Sequence, residues 1–551
     1  MAEKKAERNF MAQGAILGIA SIIVRLIGLI YRIPLNNILG EKGVAYYGVA
    51  YDVYTILLLL SSYSLPLAVS KMVSARVTLG KYKQTKRLFI YCIFFALAVG
   101  CAAFCITFFG ADLFAEILNY PESAIALKVL SVALVILSIL GVFRGFFQGF
   151  GNMVPTAVSN IIEQIINAIV SITAASALYN AGANADPVNF TFANVAEAYG
   201  AAGGTLGTVC GAGSAMIFLI ILFFATRRSF AQKVREDKNE DREALPSIFK
   251  VLIMTIIPVI LSTTIYNLSG LISSGIFSNI MEFRGMDGDL IDTYTGMYSG
   301  NYKVLINVPL ALASALSSSA IPSIVASKTR GDIETVRGKT RSAIKTTMMI
   351  AIPGAIGIAA LAKPIMNLLF PTSVDPDRVA LMLTFGAVHI VFYSLSTITN
   401  GVLQGIDKMK LPVIHAAIAL CAHIAVLTTL LFVTNINIFA VIFAEITFSF
   451  LVSLMNQRSL RKHTGFRMEY KRTFIMPFIC SLIMGVICRL FYEGMYLIIN
   501  NNAVCVIISI FIGIIIYAVC MLLTKTITKD EVLAFPGGGR LYGIAHKLRL
   551  M

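Results

Sequence analysis

The sequence predicts an all-α polytopic membrane protein of about 14 transmembrane helices, built as two six-helix lobes in a parallel repeat plus two extra C-terminal helices. Three observations lead to this prediction. Of the 551 residues, 57% are hydrophobic and only 13% are charged, whereas soluble domains carry about 25% charged residues. Apolar runs of roughly 20 residues, long enough to cross a bilayer, recur along the chain. One motif at the junction of two apolar runs occurs twice.

The apolar runs define the predicted helices, and the first is too long for a signal-peptide core and lacks a cleavage site, so we expect it to be retained. All nine cysteines lie inside such runs without metal-ligand spacing, which predicts free thiols. The predicted helices cover residues 10–33, 46–69, 88–109, 123–144, 155–178, 200–226, 249–277, 298–323, 344–369, 379–403, 411–433, 437–456, 473–492 and 502–524.

The distribution of charge predicts the orientation in the membrane. Most of the 45 lysine and arginine residues lie in alternate connections between helices, and the intervening connections are acidic or neutral. Because basic loops stay on the cytoplasmic side, both termini are predicted to be cytoplasmic in the cell membrane. The net charge of +16 is therefore an orientation signal, and no nucleic-acid partner is predicted.

The repeated motif reads Gly-x-x-Gln-Gly-x-x-x-Met, followed shortly by proline. It occurs once from Gly145 and again from Gly401. Further pairs keep nearly the same spacing: Leu65-Pro66 with Ile321-Pro322, and Tyr51 with Tyr302. A repeat of an even number of helices returns the chain to its starting side, so the two copies should share one orientation, as in many transporters.

The repeat divides the chain into predicted parts, and transporters of this build hold their substrates at the seam between lobes and expose them by alternating access. The parts are an N-terminal lobe (1–226), a cytoplasmic linker (227–248), a C-terminal lobe (249–456), two added helices (473–524) and a cytoplasmic amphipathic tail (525–551).

Charges inside the predicted helices are candidate site residues, because each costs at least about 2.5–3.5 kcal/mol at the bilayer centre. A cationic wall suits an anionic headgroup, since guanidinium groups bind phosphate oxygens bidentately. The alternative is a set of ion pairs that only tie helices together, and Arg144 has the further alternative of an interface anchor. The predicted substrate-binding residues are Arg25, Arg32, Asp52, Lys303 and Arg144.

Two carboxylates, Glu163 and Glu445, are candidates for a coupling-ion site or for a polar cavity contact. No catalytic residue and no metal site is predicted, because the histidines of the later helices lack a completing carboxylate or cysteine. Glycine and proline within helices permit bending, which makes them candidate hinges. The predicted hinge residues are Gly28, Pro66, Pro258, Pro322 and Pro353.

The connection around Asp287, Asp289 and Asp292 has an enzyme-like pattern. An Asp-x-Asp sequence can bind a metal and a nucleotide sugar, but nucleotide sugars are cytoplasmic and this connection is predicted outside. We therefore expect a polar turn.

The first 80 residues carry a resemblance to a known family. The segment from Arg25 through Gly28 and Tyr31-Arg32 to Pro34, followed by Leu65-Pro66 and Ser70-Lys71, resembles polysaccharide-transporter proteins. More narrowly, it is similar to the MurJ-type lipid II flippases and the stage V sporulation protein B group, within the multidrug/oligosaccharidyl-lipid/polysaccharide exporter superfamily. The similarity extends over nearly the whole chain.

The resemblance implies a flippase for an undecaprenyl-pyrophosphate-linked saccharide, with a basic central cavity and a lipid groove formed with the help of the two added helices. Arg25 fits the family's Arg-x-x-Gly motif. Tyr31-Arg32 departs from the Arg-Asp of more distant MurJ proteins, and Leu65-Pro66 replaces their basic pair. No cofactor is expected, and Na⁺, H⁺ and membrane potential are all open as energy sources. The implied partners are the lipid-linked oligosaccharide, membrane lipids and cell-wall synthesis proteins.

Three functions remain open at this point. The first is a flippase for lipid II or another lipid-linked polysaccharide unit. The second is a cation-coupled multidrug exporter of the same superfamily, which an acidic cavity and 12 helices would favour. The third is a polymerase or ligase of lipid-linked sugars, which would need catalytic groups in a large outer loop.

Overall fold

The computed structural model of the protein describes residues 2–62, 65–185, 194–237, 264–265 and 267–527. Within these ranges every regular element is a helix, which confirms the predicted all-α class. The chain separates into two compact units, Met1–Gly300 and Asn301–Met551.

The first unit consists of long helices and one short one. Its last helix is followed directly by a π-helical segment, Met297–Tyr302. The helices are α1 (Ala2–Ser61), α2 (Leu65–Thr78), α3 (Tyr82–Leu118), α4 (Ser123–Gly149), α5 (Val154–Ala183), α6 (Val195–Glu236), α7 (described over 267–283) and α8 (Gly288–Gly296).

The second unit begins at Asn301, inside the π-helical segment, which runs into the first helix of that unit without a break. A second π-helical segment, Lys471–Ile475, precedes the helix at Met476. The helices are α9 (Lys303–Thr329), α10 (Ile333–Ala360), α11 (Ala362–Leu369), α12 (Pro376–Gly405), α13 (Lys410–Val433), α14 (Phe439–Thr464), α15 (Met476–Ile499) and α16 (Asn502–Leu523).

The helix boundaries differ from the prediction near the N-terminus. Helix α1 contains a kink at Gly40, whose φ of 64° and ψ of 178° are non-helical. Glycine adopts this positive φ without a steric penalty, so α1 is two helices joined end to end. The second of them ends at Ser61, and a new helix starts at Leu65. Helix α6 runs on to Glu236, ten residues into the predicted linker.

The protein is a multi-pass membrane protein. Among the described residues, 11 helical stretches are long and apolar enough to cross a membrane. The first, Ile23–Thr78, includes the predicted helix 46–69 and the second part of the predicted helix 10–33. Most of the predicted helix 249–277, the hinge residue Pro258 and the tail from residue 528 lie outside the described residues. The count of 14 spans and the exact lobe boundaries stay predictions.

Both copies of the repeated motif use their glycines to pack against a proline-containing helix, with the contacts shifted by one helical turn between the copies. A Cβ added at Gly145 would lie 2.7 Å from Val69 Cβ of α2, and one at Gly405 would lie 3.1 Å from Val325 Cγ2 of α9. In both copies a motif glycine lets its helix approach the preceding proline-containing helix closely. Gly149 and Gly401 do the same toward Val73 and Ile321. The sequence repeat is therefore also a repeat of packing.

The turn inside each copy of the motif also has the same geometry. Helix α4 ends at Gly149 and α12 ends at Gly405, and two residues later Gly151 (φ 78°) and Asp407 (φ 62°) are both left-handed. The Gly151 amide donates to the Gln148 carbonyl at 2.9 Å, and the Asp407 amide donates to the Gln404 carbonyl at 3.2 Å. The second copy keeps this geometry without glycine, which aspartate tolerates better than most residues.

Glycines at a spacing of four also bring α6 against α5. Added Cβ atoms at Gly203, Gly207 and Gly211 would lie 2.4–2.5 Å from backbone carbonyl oxygens of α5, namely those of Ala174, Asn167 and Glu163. Small residues at this spacing allow two membrane helices to pack backbone to backbone. This glycine stripe, which consists of Gly203, Gly207 and Gly211, fixes the position of α5, and α5 carries the candidate residue Glu163.

Replacing Gly203 with alanine is expected to destabilise the protein by about 1–3 kcal/mol, because its methyl group would overlap backbone that cannot move aside. Gly213→Ala is the matched control, since it lies on the same helix and a Cβ there meets nothing within 4 Å. Thermal unfolding of both variants in detergent measures the effect. Equal melting temperatures for the two would contradict the role of the stripe.

Candidate functional site

The first two candidate arginines lie on α1, within the stretch that can span a membrane. Arg25 and Arg32 are two helical turns apart and therefore project from nearly the same face. The side chain of Arg25 is exposed and that of Arg32 is half-buried. Between them, a Cβ at Gly28 would lie 3.2 Å from Gln164 Nε2, so α1 passes close to α5 at this point.

Arg32 is held among tyrosines. Its guanidinium carbon lies 5.9 Å from the centroid of the Tyr51 ring, within the range of a cation–π interaction. Tyr51 in turn stacks on Tyr47, with ring centroids 5.6 Å apart. Tyr31 also interacts electrostatically with Arg32. These rings hold the Arg32 guanidinium inside the unit. They also limit the directions in which its N–H groups can donate.

Arg144 and Glu163, predicted for different roles, form an ion pair. Arg144 Nη2 donates to Glu163 Oε2 at 2.7 Å, and Arg144 Nε donates to Ser159 Oγ at 3.1 Å. The two side chains are only 15% and 26% exposed. The pair joins α4 to α5, so a phosphate at Arg144 would compete with Glu163 for the guanidinium, and an ion at Glu163 would compete with Arg144 for the carboxylate.

Tyr51 connects these groups, because it interacts electrostatically with both Arg32 and Glu163. Asp52, the next residue, is half-buried on α1. The first unit therefore brings Arg32, Glu163 and Arg144 into one polar strip across α1, α4 and α5. The sequence reasoning used the tyrosines only as repeat landmarks. Their recurrence four residues apart on a membrane helix is a signal that could have identified them.

The second unit contains the other two charged candidates. Lys303 is the first residue of α9 and Glu445 lies on α14, and both interact electrostatically with His389 of α12. His389 is 8% exposed, and its Nδ1 lies 3.2 Å from both the Glu445 carbonyl oxygen and Ser449 Oγ. His389, one of the histidines for which the sequence predicted no metal-binding role, is the centre of this group.

A separate buried network lies in the same unit. His415 Nδ1 is 2.7 Å from Asn456 Oδ1, and Asn456 Nδ2 donates to Asn400 Oδ1 at 2.8 Å. Asn456 has no exposed surface. The network joins α12, α13 and α14, and with Ser459 Oγ at 3.2 Å from Nε2 both ring nitrogens of His415 have a partner. Within the described residues, no cluster of His, Cys, Asp or Glu could hold a metal ion.

The hinge candidates have different positions. Pro353 lies inside α10, and Pro322 lies within the range of α9. Pro66 is the second residue of α2, where the missing amide costs no hydrogen bond, so it begins a helix instead of bending one. Pro309, which the sequence reasoning did not select, lies within α9, and its ring would be 2.9 Å from a Cβ at Gly354.

An apolar cavity of about 470 Å³ lies in the second unit between α10, α12 and the start of α15. Its lining includes Ile352, Ile356, Val388, Phe392, Phe474 and Phe478. With no charged group in its lining, the cavity suits a hydrocarbon chain.

Comparison with known proteins identifies the family. The family model for polysaccharide biosynthesis proteins matches residues 10–328, which is more than half of the chain. The chain belongs to the polysaccharide biosynthesis protein family. Two Bacillus subtilis members are similar over most of their length. The chain is 25% identical over 491 residues to lipid II flippase MurJ, covering 86% of this chain and 87% of MurJ. It is 22% identical over 545 residues to stage V sporulation protein B, covering 97% and 99%.

Solved structures share the fold of this polysaccharide biosynthesis family member. The inward closed conformation of lipid II flippase MurJ matches with a TM-score of 0.61 at 18% identity, over 92% of this chain and 98% of that structure. An inward-facing multidrug resistance MATE transporter matches with a TM-score of 0.64 at 15% identity, over 81% and 98%. The resemblance inferred from the sequence is confirmed. Because these relatives are transporters and flippases, the prediction of a transporter over an enzyme is confirmed too.

Proposed function

We propose that this transporter is a flippase that moves an undecaprenyl-pyrophosphate-linked saccharide from the cytoplasmic to the outer leaflet by alternating access. Lipid II is the first candidate substrate, which would place the protein in cell-wall peptidoglycan synthesis and cell-shape maintenance. The observation that carries the proposal is the pair Arg25 and Arg32 on one face of a membrane-crossing helix. The similarity to lipid II flippase MurJ over 86% of the chain gives that pair its interpretation.

The physical reason is the cost of the charges. Each arginine in the hydrocarbon region costs at least about 2.5–3.5 kcal/mol, so a helix that keeps two of them needs a compensating ligand or partner. A pyrophosphate supplies several anionic oxygens, and each guanidinium can bind two of them. The exposed side chain of Arg25 can meet such a group directly. Arg32, fixed over Tyr51, offers a second donor of defined direction.

The lipid part of the substrate requires a different surface. The apolar cavity of the second unit, about 470 Å³ in volume, can accept part of a polyprenyl chain. The first of the two added helices contributes Phe478 to it, and the preceding π-helical segment contributes Phe474. This supports the predicted lipid groove for the first added helix. The predicted roles of Asp52, Arg144 and Lys303 in headgroup binding stay part of the proposal.

A cation-coupled exporter is the second candidate function, and the fold shared with the multidrug transporter favours it. In that case Glu163 or the Glu445–His389 group would exchange a proton or a sodium ion. The ion pair of Glu163 with Arg144 weighs against the first of these sites, because the carboxylate already has a cationic partner at 2.7 Å.

Depletion of the protein in its host tests the proposal. We expect an undecaprenyl-pyrophosphate-linked precursor to accumulate on the inner leaflet, and its mass spectrum would identify the saccharide. Depletion of a membrane protein of unrelated function to the same extent is the control. Unchanged precursor levels together with increased sensitivity to cationic drugs would contradict the flippase and support the exporter. Accumulation of a non-peptidoglycan saccharide would correct the substrate.

A further inference from the structure

The short helix α8 is fastened to α1 by backbone contact. A Cβ at Gly296 would overlap the Glu41 carbonyl oxygen, so the backbones of the two helices touch with no side chain between them. Asn36 Nδ2 donates to the Gly300 carbonyl at 2.7 Å, four residues further on. We call these contacts, together with the Tyr46–Asp292 hydrogen bond, the α1–α8 latch. All of its residues belong to the first unit.

Asp292 is the ionisable group of the latch. The Tyr46 hydroxyl donates to Asp292 Oδ2 at 2.5 Å, and Tyr46 itself is completely buried. Asn194 Nδ2 donates to the Tyr46 oxygen at 3.0 Å, which connects the latch to the start of α6. Asp292 is 9% exposed. The polar turn predicted for this connection is present at residues 284–287, but the prediction missed that the segment from Gly288 is a helix and that Asp292 on it is buried.

The charges around Asp292 are mostly negative. Burial raises the pKa of Asp292 to about 7; the carboxylates of Glu122 and Asp289 add to the rise, and the Tyr46 hydrogen bond and Lys42 oppose it. Burial also raises the pKa of Glu122, whereas hydrogen bonds from Lys42 and Asn194 lower the pKa of Asp289. The groups that face this site are Glu41, Lys42 and Tyr46 of α1, Tyr120 and Glu122 before α4, Glu197 of α6 and Asp289 of α8 itself.

The helix held by the latch continues into the second unit. Helix α8 passes through the π-helical segment Met297–Tyr302 into α9 without a break. Release of α8 from α1 therefore frees one end of the continuous segment that leads into α9. The consequence of this release for transport rests on the proposed alternating access, whereas the state of the latch can be measured without substrate.

We propose that the α1–α8 latch is a pH-sensitive switch, closed when the Asp292 carboxyl group is protonated and released when it loses its proton. A neutral carboxyl group still accepts the Tyr46 hydrogen bond and removes the repulsion from Glu122. A charged carboxylate at this position is a buried anion next to Glu122, which is unfavourable. Release of the latch exposes the carboxylate to water, which stabilises its charge.

The sign of the pH dependence follows from the two states. In the closed latch the pKa of Asp292 is about 7, and in the released state it returns toward its ordinary value of 3.8. The closed state therefore binds the proton more tightly. Release is hardest in acid, becomes easier by up to about tenfold per pH unit between about 4 and 7, and levels off above 7.

Hydrogen–deuterium exchange of the purified full chain tests the switch without substrate. Peptides covering residues 288–300 are followed from pH 5 to pH 8 in the wild type and in Asp292→Asn, which imitates the protonated group. Comparison at equal pH removes the intrinsic pH dependence of exchange. We expect opening in the wild type, relative to Asp292→Asn, to rise by about tenfold per pH unit up to about pH 7 and then to stay constant.

Two further variants keep the test decisive. Asp287→Asn is the matched control, because Asp287 is an exposed carboxylate directly before the same helix and is not one of the groups that face Asp292, so the pH profile should keep its shape and midpoint. Glu122→Gln should move the midpoint of the profile to lower pH, since it removes the neighbouring negative charge. A wild-type profile parallel to that of Asp292→Asn, or a midpoint unaffected by Glu122→Gln, would overturn the proposal. Failure of the flippase activity would leave these outcomes unchanged.

Discussion

Arg25→Ala is expected to abolish lipid flipping while the amount of protein in the membrane stays the same. Loss of one partner from a desolvated charge contact costs about 2–5 kcal/mol, which lowers the flipping rate by about 30-fold to several thousand-fold. The side chain of Arg25 is exposed, so its truncation leaves no cavity in the packed interior. Flipping is measured by the appearance of the lipid-linked precursor in the outer leaflet, and abundance by immunoblotting.

Two variants control this experiment. Arg25→Lys keeps the charge but not the bidentate geometry, and should retain part of the activity. Arg489→Ala removes an exposed arginine of α15 that pairs with Glu493 at 2.8 Å, and should flip normally. Normal flipping by Arg25→Ala would remove Arg25 from the site and with it the main support for a phosphate-binding face on α1.

Arg144→Ala is expected to lower the free energy of unfolding by about 3–5 kcal/mol, because it leaves the mostly buried Glu163 carboxylate without its cation. Arg144→Ala combined with Glu163→Gln should recover much of this loss, since the neutral amide needs no partner charge. Thermal or denaturant unfolding in detergent measures both variants.

Lys128→Ala provides the comparison for the Arg144 pair. Its ion pair with Asp112 has a similar distance, 2.8 Å, but the two side chains are 36% and 64% exposed. Water already screens such a pair, so its loss should cost at most about 1 kcal/mol. If Arg144→Ala were no more destabilising than Lys128→Ala, the Arg144–Glu163 pair would be open in solution and available to a substrate or an ion.

The sequence predicted the helical class, the membrane spans and the repeat because these depend on composition and spacing along the chain. It also contained a signal for the Arg144–Glu163 pair that was not used. The two residues lie on opposite arms of the hairpin that turns at Gly151, 7 residues before it and 12 residues after it. Long side chains of opposite charge can span that offset of about one and a half helical turns. The prediction assigned them separate roles because each charge was considered on its own helix.

Other features could not be predicted from the pattern. The contact between Tyr46 and Asp292 joins residues 246 positions apart, and hydrophobic periodicity does not specify which faces of distant helices meet. The extension of α6 to Glu236 was missed for a different reason. Its last turns carry charged residues, which resemble a solvated linker by composition but continue a helix that has already formed.

The repeated hairpins restrict how each half of the molecule can move. Gly145 and Gly149 place α4 directly on α2, and Gly401 and Gly405 place α12 directly on α9. One helix of such a pair cannot slide along the other, because sliding would bring a larger residue into the contact that a glycine makes. Each pair is therefore expected to move as one rigid body. Conformational change during a transport cycle must then occur outside these helix pairs, at positions such as the kink at Gly40 and the π-helical segments.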